Sequence, residues 1–397
     1  MRCEWKTIAF GDLLEEPVRN GLTKPKAIRG TGVKMIAMGE IFAYSRIADV
    51  VTDRVPVTEK ELQNCSIKPL DILFARQSLT LEGAGKCSIV TDVLEDTVFE
   101  SHLIRTRVDQ RKADPFFLYY YFNSPHGKEN IKSIVEQVAA AGIRGSDLIK
   151  LSVPYPCLEK QRKISAILHS LDDKIELNNK INKNLEQQAQ ALYQELFINN
   201  ADSEWQKGTI SDLGAVVGGS TPAKSKPEYY TENGIPWITP KDLSINKEKF
   251  ISHGENDITE LGLGNSSATI MPEGTVLFSS RAPIGYIAIA AGEVTTNQGF
   301  KSVVPKPEIG TAFVYYFLKQ NLPIIEGMAS GSTFKEVSGS TMKRVPAVIP
   351  DSETLDKFNS SCKLIFAQQQ ILEEQNHSLA ALRDGLLPKL MSGKIEL

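Results

Sequence analysis

The sequence has few cysteines, no long apolar run and no excess of one charge sign. Its five cysteines, at positions 3, 65, 87, 157 and 362, are scattered and include no C-x-x-C pair. This pattern argues against a disulfide framework and against a zinc site. No apolar run approaches the roughly 18 residues of a membrane-spanning helix, and the N-terminal MRCEWKT lacks the apolar core of a signal peptide. We therefore expect a cytoplasmic protein with reduced thiols and no membrane partner.

Catalytic motifs are also lacking. The five histidines, at positions 102, 126, 169, 253 and 377, form no H-E-x-x-H pair or other metal-ligand spacing. TLEGAGKC at 80–87 departs from a phosphate loop at both Thr80 and Cys87, and LGLGNS at 261–266 has no strand–helix context for a dinucleotide. The Asn/Asp-Pro-Pro-aromatic motif of methyltransferases is missing as well. We predict a binding protein with no catalytic residues, no metal and no cofactor of its own.

What the sequence does contain is a duplication. WKTIAFGDL at 5–13 matches WQKGTISDL at 205–213, and each copy continues through strand-like runs to a long helix. VKMIAMGEI at 33–41 and IPWITPKDL at 235–243 are such runs, as are IKPLDILFAR at 67–76 and TIMPEGTVLFSSR at 269–281. The aromatic segments at 115–124 and 312–321 predict buried helices. A repeat on this scale indicates two similar modules with two similar sites.

The last part of each copy has a 4-3 apolar spacing over more than four heptads, which is typical of a coiled coil. We expect Gly385 and Pro388 to end or bend the second helix. Two such helices pack together only if the chain doubles back, so an antiparallel pair follows; the alternative is that each helix packs on its own domain. The predicted seam consists of Ile164, Leu168, Leu171, Ile175, Asn178, Asn182, Leu185, Leu192, Phe358, Ile365, Leu372, Asn376, Leu379 and Leu386.

These patterns predict an α+β chain of two tandem α/β domains, each followed by a long helix, with the helices forming an antiparallel coiled-coil spacer. The predicted bounds are 1–157 for the first domain, 158–200 for the central helix, 201–352 for the second domain and 353–397 for the C-terminal helix. Within the coiled coil, Asn178 and Asn182 oppose Gln369 and Asn376, a polar set that would fix the register of the two helices.

Basic residues collect in the Gly/Pro-rich loop of each copy, although the formal net charge is −3. Residues 17–39 contain lysines and arginines, and residues 213–227 contain lysines, with no acid in either run. A basic run is usually a solvated face, yet its recurrence at the same place in both copies favours a functional reading. The cations of the two runs are Arg19, Lys24, Lys26, Arg29 and Lys34 in the first, and Lys224 and Lys226 in the second.

The ordered set of motifs resembles a known family. GGSTPAKSKPEYY, GIPWITPKDL, VLFSSRAPIGYIAIA, TTNQGF, GSTFKEVS and VPAVIP in the second copy, with LDILFARQ, ESHLIRTR and AAAGIRGSDLIKLSVPYPCLEKQRKI in the first, resemble the DNA-specificity subunit of Type I restriction-modification systems. The resemblance covers nearly the whole chain. It implies a non-catalytic subunit whose two target recognition domains each read one half of a bipartite, asymmetric sequence in double-stranded DNA.

The resemblance also implies partners. The long helices would form the spacer and dock two methylation subunits, which would carry S-adenosylmethionine, and restriction endonuclease subunits would join that core. Side chains off the seam are candidates for docking, namely Lys160, Arg162, Lys174, Lys180, Lys357, Glu373 and Glu374. Two competing hypotheses remain open: an enzyme with an unrecognised active site, and a duplicated protein-binding scaffold without DNA specificity.

DNA-contacting residues are predicted in loops at matching places of the two copies. Loop cations suit phosphates, whereas Arg suits guanine and Gln or Asn suits adenine in the major groove. Asn297 and Gln298 are equally compatible with structural amides closing a turn, and Arg144 and Lys335 are placed at equivalent positions and assigned to the DNA backbone. The predicted set is Lys24, Lys26, Arg29, Arg76, Gln77, Arg144, Thr221, Lys224, Lys226, Arg281, Asn297, Gln298 and Lys335.

Overall fold

The computed structural model describes residues 5–137, 140–281, 283–331 and 335–395. Cys3 and parts of four quoted motifs (MRCEWKT, AAAGIRGSD, RAPIGYIAIA and GSTFKEVS) lie outside these ranges. The chain forms two compact units, the first from residues 1–175 and 378–397 and the second from residues 176–377. Each unit therefore contains one α/β domain and a stretch of both long helices.

The first unit is built on a five-stranded sheet with the order Arg19–Asn20, Leu103–Thr106, Ile72–Ala75, Cys87–Val90 and Arg46–Ile47. All pairs are antiparallel except the last, which is parallel. Its smaller sheets contain Arg54–Val55, Val33–Ile36 and Thr97–Phe99; Lys6–Ala9 and Ser152–Tyr155; and Glu136–Gln137, Ala141–Gly142 and Gln77–Ser78. Its helices are Phe10–Leu13, Lys26–Ile28, Met38–Ala43, Glu59–Cys65, Pro115–Asn123, Pro125–Lys132 and Gly145–Leu148, followed by the central helix Leu158–Gln194.

The second unit repeats that sheet order with Gly214–Gly218, Lys301–Pro305, Val276–Ser280, Ile284–Ala290 and Phe250–Ile251. Its smaller sheets contain Tyr230–Thr231, Asn256–Ile258, Ile235–Ile238 and Thr295–Thr296, and the pair Gln206–Thr209 and Pro346–Ile349. Its helices are Glu195–Asn199, Ile210–Leu213, Pro227–Tyr229, Pro240–Ile245, Glu260–Gly264, Thr311–Gln320, Leu322–Gly327 and Gly339–Lys343, followed by the C-terminal helix Ser352–Met391. The predicted duplication is therefore a duplication of topology.

The opening motif of each copy is a core anchor. Phe10 and Leu13 in the first unit and Ile210 and Leu213 in the second are fully buried. Phe10 packs edge-on against Phe74 and Phe122, a geometry that adds to the stabilisation from apolar burial. The predicted aromatic helices are confirmed as Pro115–Asn123 and Thr311–Gln320, and both are buried along nearly their whole length.

Two segments predicted as strand-like runs, 33–41 and 235–243, change structure midway. Each strand ends at Ile36 or Ile238, and a short helix follows, Met38–Ala43 in the first unit and Pro240–Ile245 in the second. The cause is a capping carboxylate: Glu40 accepts the backbone N–H of Ala37 and Asp242 accepts that of Thr239. A carboxylate that satisfies free amides at a helix N-terminus favours a helix over continued strand.

The predicted seam is the least exposed side of both long helices. Among its members, Ile164, Leu168, Asn178, Phe358, Leu372 and Asn376 are buried and the others are half-buried. In the second unit Asn178 donates to Asn376 Oδ1 at 2.9 Å and Gln369 donates to the Asn182 carbonyl at 3.3 Å. Residue numbers rise along one helix as they fall along the other, so the pair is antiparallel. This contact contradicts the alternative in which each helix packs separately on its own domain.

Two expectations about the C-terminal helix need correction. The helix does not end at Gly385 or Pro388 but continues to Met391, because Leu387, Leu390 and Met391 are buried in the core of the first unit; a bend at Pro388 stays a prediction. Glu373, predicted as an exposed docking side chain, is buried and accepts the backbone N–H groups of Lys249 and Phe250, each at 3.1 Å. Within the described residues, no helix has the length and apolar character needed to cross a membrane.

Candidate nucleic-acid interface

Each domain has a glycine at which two backbone segments meet closely. A Cβ atom on Gly21 would lie 2.0 Å from the Phe99 carbonyl oxygen, and one on Gly219 would lie 2.1 Å from that of Asn297. The adjacent amides confirm the match, because Leu22 donates to Phe99 and Ser220 donates to Thr296. In both domains the basic loop is therefore fixed against the turn that follows a short parallel strand, Thr97–Phe99 or Thr295–Thr296.

The loop cations of the first domain are largely paired within the domain. Lys24 forms an ion pair with Glu61 at 2.9 Å, and its side chain is only 12% exposed. Arg29 pairs with Asp53 at 3.0 Å and also donates to the Lys24 carbonyl. Lys26 is exposed on the short helix Lys26–Ile28. The acid-free stretch of sequence is thus neutralised by acids from elsewhere in the domain, and Lys26 remains the accessible lysine of this loop.

Arg76 and Gln77 leave the central strand of the first domain at the same turn. The Arg76 amide donates to the His102 carbonyl at 2.7 Å, and its guanidinium donates to the Ser101 carbonyl at 3.4 Å. Gln77 pairs through its backbone with Gly142, and its side chain is exposed. Within the described ranges its carboxamide has no hydrogen-bond partner. The backbone pairing thus fixes the place of Gln77 in the fold, and its exposed carboxamide presents a donor and an acceptor.

Sequence reasoning missed the residues of the first domain that correspond to Asn297 and Gln298. The Glu100 amide donates to Ile36 just as the Asn297 amide donates to Ile238, so Glu100 and Ser101 stand at the matching places. The imidazole of His102 is 54% exposed and lies 3.9 Å from the Glu100 carboxylate. An alignment of the two copies on the strand before each motif places ESHL opposite NQGF, and that alignment would have identified Glu100 and Ser101.

In the second domain the two predicted amides have different roles. Asn297 accepts the Gly299 amide at 2.8 Å, so its side chain closes the turn, which was one of its two expected roles. Gln298 is exposed and its carboxamide oxygen bonds to the Thr221 hydroxyl. Lys224 is exposed, and Lys226 lies 3.6 Å from Glu228.

Arg281 belongs to a second charged group in this domain. Its guanidinium is 3.7 Å from the Glu336 carboxylate, and the ammonium of Lys301 is 4.0 Å from that carboxylate. Burial lowers the pKa of Lys301 from its ordinary value, with the charge of Glu336 opposing that shift. Two cations around one acid leave a net positive charge beside the turn at 297–299, which suits a phosphate or a guanine edge.

The expected equivalence of Arg144 and Lys335 was wrong. The Ile143 amide donates to the Arg76 carbonyl, and the Val337 amide donates to the Ser280 carbonyl in the same way. Arg144 therefore matches Ser338, since each directly precedes a short helix, Gly145–Leu148 or Gly339–Lys343. Arg144 is exposed and pairs with Glu136 at 2.6 Å. Lys335 is exposed three residues farther upstream.

Among the described residues, no group of three or more His, Cys, Asp or Glu side chains could hold a metal ion. Among carboxyl groups, large pKa shifts occur at Asp109 in the first domain, where hydrogen bonds from Arg111 lower the pKa to about 2, and at two carboxylates of the long helices. Burial raises the pKa of Glu373 to about 7, whereas Lys249 and Lys319 hold that of Glu186 at about 2 despite its burial. The exposed loops thus offer hydrogen-bonding and charged groups for recognition.

Comparison with known proteins gives a consistent result. The chain is 42% identical to the Type I restriction enzyme MjaIX specificity subunit of Methanocaldococcus jannaschii over 167 residues, which are 42% of this chain and 38% of that protein. It is 25% identical to the HindI specificity subunit of Haemophilus influenzae, over 83% of this chain and 87% of that protein.

The fold is similar to that of the crystal structure of a Type-I restriction-modification S subunit from M. genitalium. The TM-score is 0.58 at 17% identity, and the match covers 98% of this chain and 96% of the other. The family described as the Type I restriction modification DNA specificity domain matches residues 3–187 and again residues 202–377. With two copies of that domain spanning most of its length, the chain belongs to the Type I restriction-modification DNA specificity family.

Proposed function

We propose that the two domains read different half-sites of one bipartite, asymmetric DNA target. As a specificity subunit the chain supplies DNA sequence specificity and is not itself an enzyme. The observation that carries the proposal is the contrast at matching positions of one shared topology. Gln77 and Glu100 in the first domain correspond to Arg281 and Asn297 in the second. Different hydrogen-bonding groups on the same scaffold imply different bases.

The partners follow from this role. A specificity subunit acts with subunits that modify and cut DNA, so we infer docking of methylation subunits that carry S-adenosylmethionine, together with restriction endonuclease subunits, in the cytoplasm. The seam repeats in both long helices at an offset of 194 positions, which supports two equivalent docking surfaces and thus two methylation subunits per chain.

We infer that the partner subunits supply many of the contacts to the DNA phosphates. The net charge is −3, and the loop cations Lys24, Arg29, Arg144 and Arg281 each face an acid of their own domain. Phosphate contacts dominate affinity, whereas base contacts set specificity. We therefore expect weak DNA binding by the isolated chain and tight binding by the assembled complex.

The test is methylome sequencing of cells that express the chain with its methylation subunit, compared with cells that lack only this chain. A new split motif, with two unlike defined halves around a fixed gap, is the expected result. A palindromic motif would refute the asymmetry. An unchanged methylome with an assembled complex would support a protein-binding scaffold instead, and metal-dependent DNA cleavage by the purified chain would support an enzyme.

A further inference from the structure

An apolar pocket opens beside Gln77 in the first domain. It has a volume of about 450 Å³, and Met38, Phe42 and Leu79 line it together with the polar side chains of Gln77 and His102. Met38 and Phe42 belong to the short helix Met38–Ala43, and the Met38 amide is fixed by the Glu100 carboxylate at 2.6 Å. The pocket is thus built from the helix, the strand and the turn that meet at the proposed interface.

The apolar side chains of this pocket are unusually exposed. Leu79 is 99% exposed and Phe42 is 42% exposed. The backbone around them is ordered by contacts: Lys86 donates to the Phe42 carbonyl at 3.0 Å and its ammonium lies 4.9 Å from the centre of the Phe42 ring. Gly83 approaches so closely that a Cβ there would lie 2.1 Å from the Ser78 hydroxyl. Phe42 and Leu79 thus present apolar surface beside the polar groups of Gln77 and His102, a combination that suits ligand recognition.

Among its described residues at the matching positions, the second domain lacks the Met, Phe and Leu side chains of this wall. Its short helix carries Pro240 and Ser244 where the first has Met38 and Phe42, as the shared capping carboxylates Glu40 and Asp242 establish. Arg281 stands where the first domain has Gln77. The apolar pocket is therefore specific to the first domain and is not part of the fold that the two domains share.

We propose that this pocket receives the major-groove edge of an A·T base pair, with Gln77 bonding the adenine and the apolar wall contacting the thymine methyl group. This inference rests on the proposed function and adds the identity of a base. A glutamine carboxamide can bond adenine N6 and N7 together, and apolar side chains recognise the thymine methyl. The carboxamide of Gln77 and the apolar wall beside it match both groups of one base pair, and a pocket of about 450 Å³ has room for the base-pair edge.

The test uses the complex reconstituted with methylation subunits and DNA carrying the methylome-derived target, at one fixed salt concentration. Each thymine of the target is replaced in turn by uracil, which lacks only the methyl group. At one position we expect about 4-fold weaker binding, the value of one buried methyl. In the Leu79→Ala complex, thymine and uracil should bind equally there, whereas Leu94→Ala, an exposed leucine outside the pocket, should preserve the difference.

Gln77→Ala provides the second arm. It should relax the preference for A·T at the uracil-sensitive position, weakening binding roughly 10- to 100-fold, while the other half-site stays unchanged. A split motif that survives Gln77→Ala in both halves, or a target indifferent to uracil at every position, would overturn the inference and leave the proposed function standing. If the assembled wild-type complex produced no split methylation motif at all, the proposed function itself would be refuted.

Discussion

In each unit a tyrosine at the same place in the fold bonds the α/β domain to the central helix, but the cation beside that bond differs between the units. Tyr120 donates to Asp172 at 2.6 Å and Tyr316 donates to Glu186 at 2.9 Å, both acceptors lying on the central helix. In the first unit the cation at the acceptor is Arg383, which is 29% exposed and also pairs with Asp384. In the second it is Lys249, which is 5% exposed.

This difference shows that one attachment tolerates change better than the other. Lys249 is enclosed by the Phe366 ring at 4.1 Å and by Gln369 at 2.6 Å, and Glu186 is its counter-ion. A guanidinium shared between two carboxylates and water keeps a partner when one is lost, whereas a buried ammonium does not. In the second unit the Lys249 ammonium therefore depends mainly on Glu186, because the neighbouring Glu373 carboxylate has a raised pKa and accepts the backbone N–H of Lys249.

The largest expected effect is that of Glu186→Ala. It leaves the Lys249 ammonium buried without a counter-ion, so we expect a loss of about 3–5 kcal/mol in the free energy of unfolding of the second unit. Urea unfolding followed by tryptophan fluorescence measures this loss. The double variant Glu186→Ala, Lys249→Met should regain most of it, since no unpaired charge remains. A single variant as stable as wild type would show that the ammonium is hydrated.

The stability of the second unit is also expected to depend on pH, through the buried carboxyl group of Glu373. Burial raises the pKa of Glu373 to about 7, above the ordinary value of about 4.3. Between these values the unfolded chain has released the proton that the folded chain retains, so stability falls as pH rises from about 4.5 to 7 and then levels off. The free energy of unfolding would fall by roughly 3.5 kcal/mol at most across this range. The groups facing Glu373 are Lys249, the backbone of Phe250, and Glu248, which pairs with His377.

Glu373→Gln is the matched variant, because an amide does not titrate. Urea midpoints at pH 5 and pH 8 should differ less for this variant than for wild type, although the variant loses one of the two acceptors that Glu373 presents to Lys249 and Phe250. The position 194 residues earlier, on the central helix, holds Asn179, already an amide, so the repeated seam offers no second titration at the matching place. Equal pH slopes for variant and wild type would place the titration on another group.

A smaller effect is expected for Asp172→Ala in the first unit. Arg383 keeps Asp384 at 2.9 Å and partial contact with water, so the loss should be about 1–2 kcal/mol, mostly the hydrogen bonds of Tyr120 and Arg383. The measurement is urea unfolding beside Glu186→Ala. If the two variants lose equal stability, the contrast between the shared guanidinium and the buried ammonium is wrong.

Periodicity and repetition predicted most of the architecture, because the seam from Ile164 to Leu386 and the paired motifs are local patterns. They failed where distant residues decide the outcome. Pro388 stays helical because Leu387 and Leu390 are buried in the first unit, and Lys24 is tied down by Glu61, which is 37 residues away. The local sequence identifies the cation, but the acid that pairs with it comes from a distant part of the chain.

The smallest expected effect is on the salt dependence of DNA binding, and it differs between two lysines of one loop. Lys26 is exposed, whereas Lys24 is held by Glu61. If the loop lies along DNA, Lys26→Ala should weaken binding by the assembled complex a few-fold at low salt and reduce the salt slope by about 0.9, one phosphate contact, without changing the motif. Lys24→Ala should leave the slope unchanged, because its ammonium is already neutralised. A slope altered by Lys24→Ala instead would mean that the Glu61 pair opens on DNA, and the accessible charge of this loop would then be set by the complex rather than by the free domain.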